Sequence, residues 1–161
     1  MADITGSDVF ISYKRRKRAE IDQIASALRA LNVTVWFDER LEAGSSFSEE
    51  INRNIANAKS VLVCWTNDCF EHGGDRAGWV RSEAQLARDR QIHVPVFLEP
   101  TQLGAPFNID HTIDLAPCLA SGAALSVDAC PAWTMVLTAL AAKLERPGLP
   151  LYAKVLAGTD T

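Results

Sequence analysis

Strand-prone and helix-prone segments alternate along this chain, and that alternation leaves few folds open. Asp8-Val9-Phe10-Ile11-Ser12-Tyr13 is a short β-prone run. Ile21, Ile24, Ala25, Leu28 and Leu31 then recur on one helical face, with Asn32 as a stop. Val33-Thr34-Val35-Trp36-Phe37-Asp38 predicts a second strand of strong β-formers. After a loop containing Ala43-Gly44-Ser45, Ser46-Phe47-Ser48-Glu49 has the form of a capping box ahead of Ile51, Ile55 and Ala58. Ser60-Val61-Leu62-Val63-Cys64-Trp65 is apolar throughout, as expected of a strand whose two faces are both covered by helices. Asn67 to Gly78 reads as a surface loop, Trp79 to Arg90 as a helix and His93 to Leu98 as a fourth strand. Thr112 to Leu115 is a candidate fifth strand. Trp133, Val136, Leu137, Leu140, Ala141 and Leu144 outline a last helix stopped by Pro147-Gly148.

This order predicts an α/β fold with a mostly parallel sheet and right-handed crossovers. In such sheets, sites form outside the carboxyl ends of the strands, here at Tyr13-Lys14-Arg15, at Asp38 to Phe47 and in the loop leading to Trp79. With 161 residues, 48% of them hydrophobic, the chain suits one domain, drawn at residues 1–146, with 147–161 as a C-terminal tail or linker. A net charge of −4 speaks against nucleic acid or anionic membrane as partners. No apolar run approaches the roughly 20 residues of a membrane span, and the first residues lack a signal-peptide pattern. The four cysteines, Cys64, Cys69, Cys118 and Cys130, have no C-x-x-C spacing, and three lie in or near apolar stretches, as reduced buried thiols of a cytosolic protein do.

Several chemistries are absent at the level of motif. There is no G-x-G-x-x-G after the first strand and no G-x-x-x-x-G-K-[ST]. His72, His93 and His111 stand apart from carboxylates or thiols at ligand spacing, so no metal site is expected. No G-x-S-x-G elbow occurs. Two features are left. Lys14-Arg15-Arg16-Lys17-Arg18 places five cations at a helix start, where they oppose the macrodipole. A solvated helix start and a phosphate contact by Lys14 or Arg15 are both open readings. In Trp79-Val80-Arg81-Ser82-Glu83, a spacing of four sets the indole and the carboxylate one turn apart on one side of a helix. Taken alone, that spacing reads as a packing Trp and a solvated Glu.

Taken together, three segments resemble a Toll/interleukin-1 receptor (TIR) domain over roughly residues 7 to 145. They are Asp8 to Arg15, then Val35-Trp36-Phe37-Asp38 with Leu41-Glu42-Ala43-Gly44, then Trp79 to Glu83. The short polar N-terminus is more similar to prokaryotic TIR domains than to receptor tails. The resemblance implies a flavodoxin-like three-layer sandwich with a central parallel sheet of about five strands. It also implies one of two functions. Some TIR domains are non-catalytic interaction modules, adaptors or virulence mimics, which assemble through the loop at about 39–47. Others cleave NAD+ at the nicotinamide–ribose bond. In the NAD-cleaving branch the resemblance makes Glu83 catalytic and lines the nicotinamide pocket with Trp79. Tyr13, Lys14, Arg15 and Glu42 border the ligand, and Gly44 sits in the loop. Lys14 stands where the enzymatic motif commonly has Arg; it keeps the charge without the bidentate fork.

A single carboxylate suffices for that reaction. Glycoside hydrolysis ordinarily needs a second one to protonate the leaving oxygen, but nicotinamide departs from NAD+ as a neutral group. Glu83 would stabilise the positive charge growing on the ribose, the more so where Trp79 and the loop exclude water. Attack by water gives ADP-ribose; attack by a nucleophile within the substrate gives a cyclic product. No cofactor is expected, NAD+ being the substrate. The implied setting is cytoplasmic bacterial immune signalling, with activation by self-assembly and with a sensor domain or protein as a further partner.

Overall fold

A computed structural model describes residues 8–37, 55–70 and 79–159, with the backbone alone at 15, 70, 79 and 157–159. Five strands, β1 (Val9–Ser12), β2 (Val35–Trp36), β3 (Ser60–Trp65), β4 (His93–Phe97) and β5 (Ile113–Asp114), form one sheet in the order β2-β1-β3-β4-β5. Every pairing is parallel. The order reverses direction between β1 and β3, so the switch point expected to carry a ligand lies at their carboxyl ends.

Pleating divides the strand residues between two cores. Val9 and Ile11 of β1, Leu62 and Cys64 of β3, and Val94 and Val96 of β4 face one layer. That layer is built by α1 (Arg18–Ala30), the short α3 (Ala116–Leu119), α4 (Pro131–Leu144) and α5 (Leu149–Thr159). Phe10, Val61, Val63 and Trp65 face the other, where they meet Ile55, Ala58, Phe107 and α2 (Trp79–Asp89). This is the three-layer arrangement anticipated above, and it explains why β3 is apolar at both parities: all six of its residues are buried.

Several boundaries follow from local chemistry. Helix α1 buries Ile21, Ile24, Ala25 and Leu28, and Asn32 ends its turn with φ 60°, a left-handed value that Asn tolerates. Arg146 donates to the carbonyls of Leu31 and Asn32 at 2.9 and 3.2 Å, satisfying acceptors that the end of α1 leaves open. The six residues that outlined the last periodic helix are the buried ones of α4. The second strand is shorter than its run of β-formers, because only Val35 and Trp36 register against β1, at Val9 and Phe10. Pro95 is tolerated inside β4. The bonds Leu98 N to Trp65 O and Leu115 N to Phe97 O show that even residues of β4 face β3 and odd ones β5. The missing N–H of Pro95 therefore points to the β5 side, where pairing begins only at Val96.

Two features of the chain are not in its periodicity. Leu149–Thr159 is helical, and its Leu149 and Ala153 are buried in the same cluster as α4. The cysteine reading is corrected in part: Cys118 and Cys130 form a disulfide with a Cα–Cα separation of 5.8 Å, while Cys64 and Cys69 are free and buried. Cys130 precedes α4, and its Sγ accepts from the Trp133 N–H at 3.2 Å, so the sulfur that closes the bridge also caps a helix. The capping box at Ser46–Glu49 and Ile51 lie outside the described residues; helical backbone is described at 55–57.

Candidate functional site

Ser12 is the last residue of β1 and, by alternation from Phe10, points to the α2 side of the sheet. Glu83 occupies the buried stripe of α2 with Val80, Ala84 and Ala87. A carboxylate in that stripe is not the solvated Glu that spacing alone suggests: it is 7% exposed. Its Oε1 accepts a hydrogen bond from the Ser12 hydroxyl at 2.8 Å, both groups being buried. An ordinary core would place an aliphatic side chain there, since burying a carboxylate costs several kcal/mol unless it is well solvated by protein groups. The pair sits at the carboxyl end of β1, at the switch point of the sheet.

Lys14 is 8% exposed, buried to a degree unusual for lysine. Burial pushes the Cys69 thiol up, against hydrogen bonding from Thr66 and the nearby positive charge of Lys14. Cys69 belongs to the α2-side core. The Tyr13 ring turns to the opposite face and meets Phe37 edge-on at 5.8 Å between centroids.

Arg16, Lys17 and Arg18 of the basic run have acidic partners, which offset cations at a helix start that oppose its dipole. Arg16 donates to Asp68 at 3.1 and 3.2 Å and to Glu99 at 2.5 Å. Lys17 reaches Glu20 at 3.3 Å and Glu99 at 3.4 Å, and Arg18 reaches Asp22 at 2.9 Å. Glu99 also accepts from the Asn67 N–H at 2.8 Å. These contacts tie together the segments that follow β1, β3 and β4 at the carboxyl edge. The hydrogen bond from Arg16 holds Glu99 below the usual carboxylate range despite its burial. At Asp68 burial acts upward most strongly, but the bonds from Arg16 and Thr66 outweigh it and the net shift is down.

Of the residues singled out in the sequence, the fold buries Glu83 against Ser12, buries Lys14 just past the end of β1, and sends Tyr13 to the opposite face. Of Trp79 and Arg15 only the backbone is described, at the first turn of α2 and in the 3₁₀ turn Arg15–Lys17. Glu42, Gly44 and the 39–47 loop lie outside the described residues. Ser12, Asp68 and Glu99 were not anticipated. For Ser12 a signal existed: it is the one hydroxyl within an apolar strand, two residues beyond Phe10 and on the same face.

A parallel sheet in 2-1-3-4-5 order, with a buried carboxylate held at its switch point, defines a flavodoxin-like α/β protein with a polar centre at the carboxyl edge. The profile of the TIR domain matches residues 9–122, and the chain belongs to the TIR domain family. The fold is similar to the crystal structure of the TIR domain of the Toll-related receptor TRR-2 from Hydra magnipapillata, with a TM-score of 0.58 and 18% identity. That match covers 71% of this chain and 93% of the Hydra chain. No curated protein matches the sequence. Among the described residues no helix is long and apolar enough to cross a membrane.

Proposed function

We propose that this TIR domain is an NAD+ glycohydrolase that cleaves the nicotinamide–ribose bond, with Glu83 as its catalytic carboxylate. The observation that carries the reading is the burial of Glu83 at the switch point, held by the Ser12 hydroxyl. A buried acid is costly for the fold, and at this place it faces the position where ligands of parallel α/β sheets bind. Positive charge develops on the ribose as neutral nicotinamide leaves. A carboxylate in a poorly hydrated setting stabilises that charge far more strongly than one in water. Lys14, two residues past Ser12, would offset the phosphate charge of the substrate, and Trp79, one turn before Glu83, would line the nicotinamide side. Arg15, Glu42 and Gly44 complete the proposed binding residues, and Tyr13 would act through the packing of its strand end. NAD+ is the substrate, and the reaction needs no cofactor. Water attack gives ADP-ribose, and attack from within the substrate a cyclic product.

Self-assembly through the 39–47 loop would raise activity, as the family resemblance implies, with a sensor supplying the trigger. The proposed setting is cytoplasmic bacterial immune signalling, in which NAD+ loss or its product is the message.

The test is nicotinamide release from NAD+ by tens of micromolar protein, wild type beside Glu83→Ala, with products separated by chromatography. The variant should lose at least about a hundredfold in turnover, the magnitude of a lost electrostatic stabiliser. Equal activity in the two would remove Glu83 from the mechanism. Silence of the wild type even in forced assemblies would favour the interaction module.

A further inference from the structure

The Ser12–Glu83 contact asks more of Ser12 than packing. Ser12 is 1% exposed at the end of β1, and its Cα registers with Val63 of β3. Its backbone is committed to that ladder, so the hydroxyl is held in place by the sheet itself. The hydroxyl donates to Oε1 of a carboxylate 71 residues away, on a different element, at 2.8 Å. Phe10, Val61, Val63, Val80 and Ala84, described on that face, are apolar. A long glutamate side chain on a helix has several rotamers within reach of this surface, and nothing apolar selects one. A fixed donor does.

We propose that Ser12 is a positioning residue: its hydroxyl selects the rotamer in which the Glu83 carboxylate serves the reaction, and does so without touching the substrate. The assignment rests on the reading of Glu83 given above, but the hydrogen bond can be tested apart from it. Because Ser12 acts on the orientation of a group that stabilises the transition state, its loss falls on kcat and leaves KM nearly unchanged. A residue needed only for folding would lower the amount of active protein and leave both constants of the folded fraction alone.

The experiment compares wild type, Ser12→Ala and Ser12→Thr in NAD+ cleavage. In parallel, the side-chain carboxyl carbon resonance of Glu83 is recorded by NMR without substrate and assigned by its loss in Glu83→Gln. Expected are a kcat lower by about ten- to a hundredfold in Ser12→Ala, the range for a lost hydrogen bond to a charged group, and a KM within about twofold of wild type. The Glu83 resonance should move in Ser12→Ala, and Ser12→Thr should restore much of both signals. A wild-type kcat in Ser12→Ala overturns the proposal, as does an unmoved resonance. If Ser12→Ala fails to fold, Ser12→Thr and Ser12→Cys carry the same comparison. If the wild type cleaves no NAD+, the reading of Glu83 fails, and the resonance alone still decides whether Ser12 positions the carboxylate.

Discussion

Glu83 occupies a position where the helix periodicity of α2 calls for an aliphatic side chain. Replacing a buried charge by an apolar group of similar volume is often neutral, or stabilising by about 1–4 kcal/mol. Glu83→Leu should therefore hold or raise the stability of the protein in denaturant titration while NAD+ cleavage disappears. A loss of more than about 2 kcal/mol would mean that Glu83 is a structural residue. The two parities at the end of β1 also separate: Tyr13 packs on Phe37 in the α1 layer, whereas Ser12 bonds Glu83 on the other face. From spacing, Glu83 could be found but not its burial, because burial depends on which face of the helix meets the sheet. Ser12 could be noticed as a hydroxyl in an apolar strand, but its partner could not be read. A hydroxyl in a strand acquires meaning only from what stands opposite it.

Among the elements, the turn Arg15–Lys17 is anchored by acids that follow β3 and β4. The folded pKa values of Asp68 and Glu99 lie below their unfolded ones. Their contribution is therefore present above roughly pH 4–4.5, the unfolded range, and is lost as the pH falls through the folded values. Arg16→Ala should flatten the pH dependence of stability between about pH 3 and 5. Arg16 is 46% exposed, so solvent screening limits the effect to at most about 1 kcal/mol. Denaturant midpoints that vary with pH identically in variant and wild type would exclude this anchor. The pairing of Cys118 with Cys130 is a second constraint at this scale. Their separation of 12 residues closes a loop worth up to about 3 kcal/mol by chain entropy. Denatured, unreduced protein should show two reactive thiols, from Cys64 and Cys69, and a linked 118–130 peptide on digestion. Four reactive thiols would contradict the bridge. A cytoplasmic setting would require this bridge to withstand the thiol pool.

At the scale of the molecule, the switch point places the proposed chemistry between β1 and β3, and activation by assembly would act on that edge. Specific activity should rise with protein concentration, measured over about two decades at constant NAD+; a flat profile would show that the single domain is sufficient. The order of elements, the composition of β3 and the buried face of α4 were all legible in the chain. Period and turn residues are local properties, written within a dozen neighbouring positions. The disulfide, the anchoring of Arg16 by Asp68 and Glu99, and the bond from Ser12 to Glu83 were not. They join residues 12, 52, 83 and 71 positions apart, and no local pattern relates such partners. Crossover connections bring the partners of Arg16 and Ser12 together, and with them the donor that turns a buried glutamate into a held one.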